Sequence, residues 1–113
     1  MLQKLLKWID RLFKRKKTRK EKVYQYTFSE DVPDKLKRYE IYIIGSKECY
    51  WQIVMLCPCG CKTVLHINLL NDYKPSWIYE MNSRQAITIH PSIHRKVDCK
   101  SHFFIREGKV VWV

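Results

Sequence analysis

The stretch YEIYIIGSKECYWQIVMLCPCGCKTVLHINL, Tyr39 to Leu69, decides the fold. Tyr39 to Ile44 is dense in aromatic and β-branched residues, the side chains that suit a pleated, half-buried surface. Gly45-Ser46 closes it, and Glu48 to Leu56 resumes the same pattern, so residues 43–51 predict a hairpin. After the cysteine-rich interruption, Thr63 to Leu69 alternates again. Three strands in succession, with no helical period among them, point to an antiparallel sheet.

Working outward, Val23 to Phe28 alternates in the same way, and Val32-Pro33-Asp34 breaks the pattern before the next strand. Downstream, Asn71-Asp72 and Lys74-Pro75-Ser76 mark a loop. Trp77 to Met81 and Arg84 to His90 predict a hairpin around Asn82-Ser83, and His102 to Arg106 with Lys109 to Val113 another around Glu107-Gly108. The expectation is a mainly β domain over residues 23–113: about seven short, mostly antiparallel strands forming a small zinc-stapled sheet or sandwich. No internal repeat is visible.

The interruption carries the chemistry. Cys57-Pro58-Cys59-Gly60-Cys61 is followed some forty residues later by Cys99-Lys100-Ser101-His102. Zinc takes four thiolate or imidazole ligands in a tetrahedron, and a tight loop with glycine can turn two thiolates onto one ion. Five candidates compete for four places. The spacing favours Cys59, Cys99 and His102, with either Cys57 or Cys61 as the fourth. The remaining cysteine, Cys49, lies in a strand and reads as a core residue. Five cysteines, three of them within five residues, make a poor disulfide framework and suit a metal site in a reducing cytoplasm. His66 reads as a half-buried sheet residue. His90 and His94, flanking Pro91-Ser92-Ile93, read as an exposed pair able to contact an anion or a partner.

Charge separates the N-terminus from the rest. Residues 1–22 hold ten Lys/Arg against two acids, whereas residues 23–113 hold twelve against nine. Leu2, Leu5, Leu6, Ile9, Leu12 and Phe13 recur at helical spacing, with Trp8 at the stripe's boundary, predicting an amphipathic helix over 2–13. Lys14, Arg15, Lys16, Lys17, Arg19 and Lys20 continue it as a basic arm. Such a stripe serves either a protein groove or peripheral contact with an anionic inner membrane surface through residues 1–14, and the run of charge can also meet nucleic acid. No apolar run approaches the ~20 residues that span a bilayer, and no secretory signal is visible.

The C-terminal two-thirds, about residues 50–113, resembles a small bacterial domain family of unknown function. The shared order is Cys57-Pro-Cys-Gly-Cys61, Pro75-Ser76-Trp77, Thr88 through Pro91-Ser92-Ile93, Cys99-Lys-Ser-His-Phe-Phe-Ile105 and Gly108-Lys-Val-Val-Trp112. This chain departs from the pattern at Phe104, where the family often has Trp, and at His94. Members tend to be encoded beside ubiquitin-like conjugation proteins. The resemblance implies a zinc-bearing accessory domain with conjugation components as partners, its ligands drawn from Cys57, Cys59, Cys61, Cys99 and His102. The reading is therefore a protein-binding module. Its alternatives are a nucleic-acid-binding zinc module and a hydrolase or thiol-dependent enzyme, in which a spare thiol served by His90 or His94 would be the nucleophile. No HExxH, phosphate loop or nucleophile elbow is present to favour an enzyme.

Overall fold

The computed structural model describes residues 22–113. The expected helix over 2–13 and nearly all of the basic arm lie outside the described residues. Among those described there is no helix, and none long and apolar enough to cross a membrane. Eight strands form two four-stranded sheets. The first contains β1 (Gln25–Ser29), β2 (Glu40–Ser46), β3 (Cys49–Leu56) and β4 (Val64–Asn68), in that order. The second contains β5 (Ile78–Met81), β6 (Ile87–His94), β7 (His102–Arg106) and β8 (Lys109–Trp112), again in order.

Alternation decides what each strand buries. Ile41 and Ile43 of β2, Ile53 and Met55 of β3, and Leu65 and Ile67 of β4 meet Ile87, Ile89 and Ile93 of β6 and Phe103 and Ile105 of β7 in one core between the sheets. The opposite face of β2 is also buried, because Tyr42, Ile44 and Val54 pack under Leu36. Leu36 belongs to the connection between β1 and β2. That segment crosses the sheet's outer face, so β1 pairs with β2 in parallel, the one exception to the antiparallel pattern. The Tyr24 N–H donates to Gly108 O and the Gly108 N–H to Ile87 O, tying the entry to β1 to the second sheet.

Two expectations are corrected here. Cys49 is exposed, because it opens β3 opposite Ser46 at the hairpin end, where no second layer covers it. His66 is also exposed, and its Nδ1 lies 3.1 Å from Gln52 Oε1 on the neighbouring strand. The strand expected to stop at His90 runs on through Pro91 and Ser92 to His94. Proline cannot donate to a ladder, and Pro91 has no need to. β5 begins at Ile78, paired with His90, so nothing on that flank asks for its donor.

Candidate metal centre and serine–histidine pair

Two hairpin loops, one from each sheet, meet at one end of the sandwich. The first spans residues 57–63 between β3 and β4, and the second spans residues 95–101 between β6 and β7. Each closes on a single backbone bond, from Cys57 N–H to Thr63 O at 2.8 Å and from Arg95 N–H to Ser101 O at 2.8 Å. Within the first loop the Gly60 N–H returns to Cys57 O at 3.2 Å, and Gly60 takes φ +92°, a region that glycine enters without strain. That turn lets three cysteines on one short loop face the same point.

Cys57, Cys59, Cys61 and Cys99 bring their sulfur atoms within 4.8 Å of one another. Cys57 Sγ is 3.4 Å from Cys59 Sγ and 3.6 Å from Cys99 Sγ. A metal–sulfur bond of ~2.3 Å in a regular tetrahedron implies sulfur separations of about 3.8 Å, so the four thiols are spaced to take one ion. They can hold a metal. Only Cys57 is fully buried; Cys99 is half-buried, and Cys59 and Cys61 reach the surface. The Arg95 guanidinium closes one side, with Nη1 3.1 Å from Cys99 Sγ and 3.5 Å from Cys61 Sγ, while its Nη2 pairs with Asp98 at 3.2 Å.

The thiols are tuned unequally. The Ser101 hydroxyl, 3.0 Å from Cys99 Sγ, together with the Ser101 backbone, brings the Cys99 thiol down to about 6. Cys59 is pushed up to about 11, first by sharing a hydrogen bond with Cys61. Cys61 is lowered, with the Thr63 hydroxyl as the main cause.

The structure groups His102 elsewhere. β7 alternates from its first residue: Phe103 and Ile105 point into the core, and His102, Phe104 and Arg106 point out. The Ser101 side chain faces the thiols, so the next residue, at the start of the strand, turns to the opposite side. There His102 Nε2 is 2.9 Å from Ser92 Oγ. The His94 ring stacks on His102 at 4.3 Å between centroids and 16° between planes. His90 Nε2 lies 3.1 Å from Glu80 Oε1. Neither His90 nor His94 hydrogen-bonds a thiol among the described residues.

Ser92 owes its position to an irregularity in β6. Ile89 pairs with Ile105 and Ile93 with Phe103, so three residues of β6 between these pairs face the single Phe104 of β7. Extra residues in one strand bend it and re-aim a side chain. Ser92 O is held from the other flank by the Trp77 indole N–H at 3.2 Å. Sequence reasoning placed Ser92 in a motif and gave it no role. The signal was available in His102–Arg106, whose strand period already turns His102 away from Cys99.

A family model described as "Bacterial ubiquitination-like system serine protease (BubE)" matches residues 28–113. The chain belongs to this family. Membership places it in a bacterial ubiquitination-like system, in agreement with the resemblance carried by the cysteine and Pro-Ser motifs, and suggests protein partners. No curated protein and no solved structure matches the chain. The family's description names a serine protease, and its match contains both Ser92 and His102.

Proposed function

We propose that this chain is a serine peptidase of a bacterial ubiquitination-like system, with Ser92 as nucleophile, His102 as general base and a structural zinc at Cys57, Cys59, Cys61 and Cys99. The observation that carries the reading is the 2.9 Å contact between Ser92 Oγ and His102 Nε2, within the reach a base needs to take a hydroxyl proton. Ser92 Oγ attacks the carbonyl carbon of a peptide or isopeptide bond, and its proton passes to His102 Nε2. The C–N bond breaks as the imidazolium returns that proton to the leaving amine. Water, deprotonated by the same nitrogen, then cleaves the Ser92 ester and releases the carboxylate. This requires His102 as the neutral tautomer protonated on Nδ1. His90 and His94 stand exposed beside Ser92, which supports a role for them in contacting the partner.

Four thiol ligands favour zinc in a closed site, which leaves no open position for substrate. When bound, the ion would supply cross-linking between the two loops. The chemistry stays with Ser92 and His102. Ser92→Ala should abolish cleavage of a ubiquitin-like protein carrying a peptide-linked extension, and His102→Gln should slow it by about 10²–10⁴-fold. Retained cleavage in Ser92→Ala defeats the proposal.

A protein-binding module without turnover is the second reading. It is favoured by one observation: among the described residues, no carboxylate hydrogen-bonds His102. It predicts partner capture that survives Ser92→Ala and no hydrolysis by the wild type. The basic arm is proposed to seat its apolar stripe on protein and not on lipid, the commoner fate of a short amphipathic helix in a small domain.

A further inference from the structure

The loop of residues 95–101 joins the strand that carries Ser92 to the strand that carries His102, and its Cys99 is the only thiol of the cluster contributed by the second sheet. We propose that capture of Cys99 by the metal centre positions the catalytic pair, so that the cluster acts as a latch on the geometry between Ser92 and His102. This inference rests on the peptidase reading.

The connection is short and can be followed bond by bond. Cys99 Sγ lies 3.0 Å from Ser101 Oγ, and Ser101, itself buried, directly precedes His102. The Ser101 carbonyl accepts from Arg95 N–H at 2.8 Å, and His102 then pairs with His94. The Arg95 side chain returns to Cys99 and Cys61, so the first residue of the loop is tied to the cluster as well. Both ends of the loop are therefore anchored on sulfur.

Apart from the sulfur contacts and the Arg95–Ser101 backbone bond, the loop is held by the pairing of Arg95 with the exposed Asp98 at 3.2 Å and a long Lys100 N–H to Val97 O bond at 3.3 Å. Asp98 and Lys100 take φ +60° and +52°, left-handed conformations that cost non-glycine residues free energy and persist only where surrounding structure enforces them. Val97 is 67% exposed, so the loop gains little from burial. Without the Cys99 anchor, those two residues can relax toward ordinary backbone angles, and His94 and His102, one residue beyond each end, move with them. Ser92 is held separately, by the Trp77 indole on the opposite flank of β6. A shift of the loop thus changes the distance between base and nucleophile instead of carrying both along. Ser101 is a positioning residue in this scheme, acting through its neighbours on either side.

The test compares Cys99→Ser, Cys99→His and Ser101→Ala with the wild type, loaded with one zinc and after chelation. Two quantities are read: amide hydrogen exchange across residues 94–102, and the rate at which a fluorophosphonate labels Ser92. Cys99→Ser keeps the three thiols of the first loop and should exchange faster at 94–102 while β2 and β3 stay protected. Its labelling should fall by about 100-fold, the penalty for a reacting group displaced by about an ångström. Cys99→His restores a zinc ligand and should recover both signals. Ser101→Ala keeps all four thiols, so it decides the matter if Cys99→Ser does not fold. It should retain zinc yet label several-fold more slowly. Wild-type labelling rates in folded Cys99→Ser or in Ser101→Ala overturn the latch. If the zinc-loaded wild type itself fails to label, the peptidase reading falls. Exchange at 94–102 then decides the latch alone, and protection unchanged by chelation overturns it.

Discussion

At the scale of single residues, the two most divergent thiols are set apart by their neighbours and not by exposure. Cys59 is exposed and Cys99 half-buried, yet Cys99 is the acidic one because Ser101 donates to its sulfur. In metal-free protein, iodoacetamide should therefore modify Cys99 readily at neutral pH, where a thiol titrating near 6 is ionised. Cys59 should react only as the pH climbs toward about 11, despite its better access. The reverse order in a peptide map would mean that exposure governs. His94→Ala removes the ring stacked on His102 and should cost a few-fold in turnover, in line with about 0.5–1.5 kcal/mol for an aromatic pair. The sequence made all four cysteines legible, because closely spaced thiols have few other uses. It offered His102 as a ligand through its spacing from Cys99, leaving Cys57 and Cys61 to compete for one place, while the strand period from His102 to Arg106 turned the same residue outward. Period wins over spacing here because Phe103 and Ile105 are both fully buried, and reversing the strand would place two large apolar side chains in water.

At the scale of elements, β6 departs furthest from its local sequence pattern. Pro91 looked like the end of a strand, and only its unpaired flank makes it tolerable inside one. The irregularity that aims Ser92 depends on a register against β7, a non-local fact that no local pattern carries. The strands themselves were legible because alternation is local, and seven of the eight lie close to their expected positions. Trp77→Phe deletes the indole donor to Ser92 O and should cost about 1 kcal/mol of stability, read as a lower denaturant midpoint. It should also slow turnover, because β6 loses its clamp on the far flank. Phe103→Ala empties the centre of the core and should destabilise by about 3–5 kcal/mol. Gly45 takes φ +145°, and a Cβ there would collide with Cys49 O and with Tyr50 Cα at 2.6 Å. Gly45→Ala should therefore disrupt the β2–β3 hairpin, seen as accelerated amide exchange along both strands.

At the scale of the molecule, two sheets share one apolar core and bring thiols from both to one point at one end, where a metal ion would pin them together. Chelation should lower the melting temperature by about 4–8 °C for each kcal/mol of lost anchoring, as measured by calorimetry with and without zinc. The basic arm should leave the protein in the soluble fraction when mixed with anionic vesicles, and co-flotation lost on Leu5→Glu would assign its stripe to lipid. The central claim is that Ser92 and His102 form a working nucleophile and base. It is tested most directly by intact-mass spectrometry and peptide mapping of the zinc-loaded protein after exposure to a fluorophosphonate. The account predicts one covalent adduct per chain, located on Ser92 and lost in His102→Gln, with Ser76, Ser83 and Ser101 unmodified. An unlabelled Ser92, or an adduct that forms equally well without His102, would contradict it.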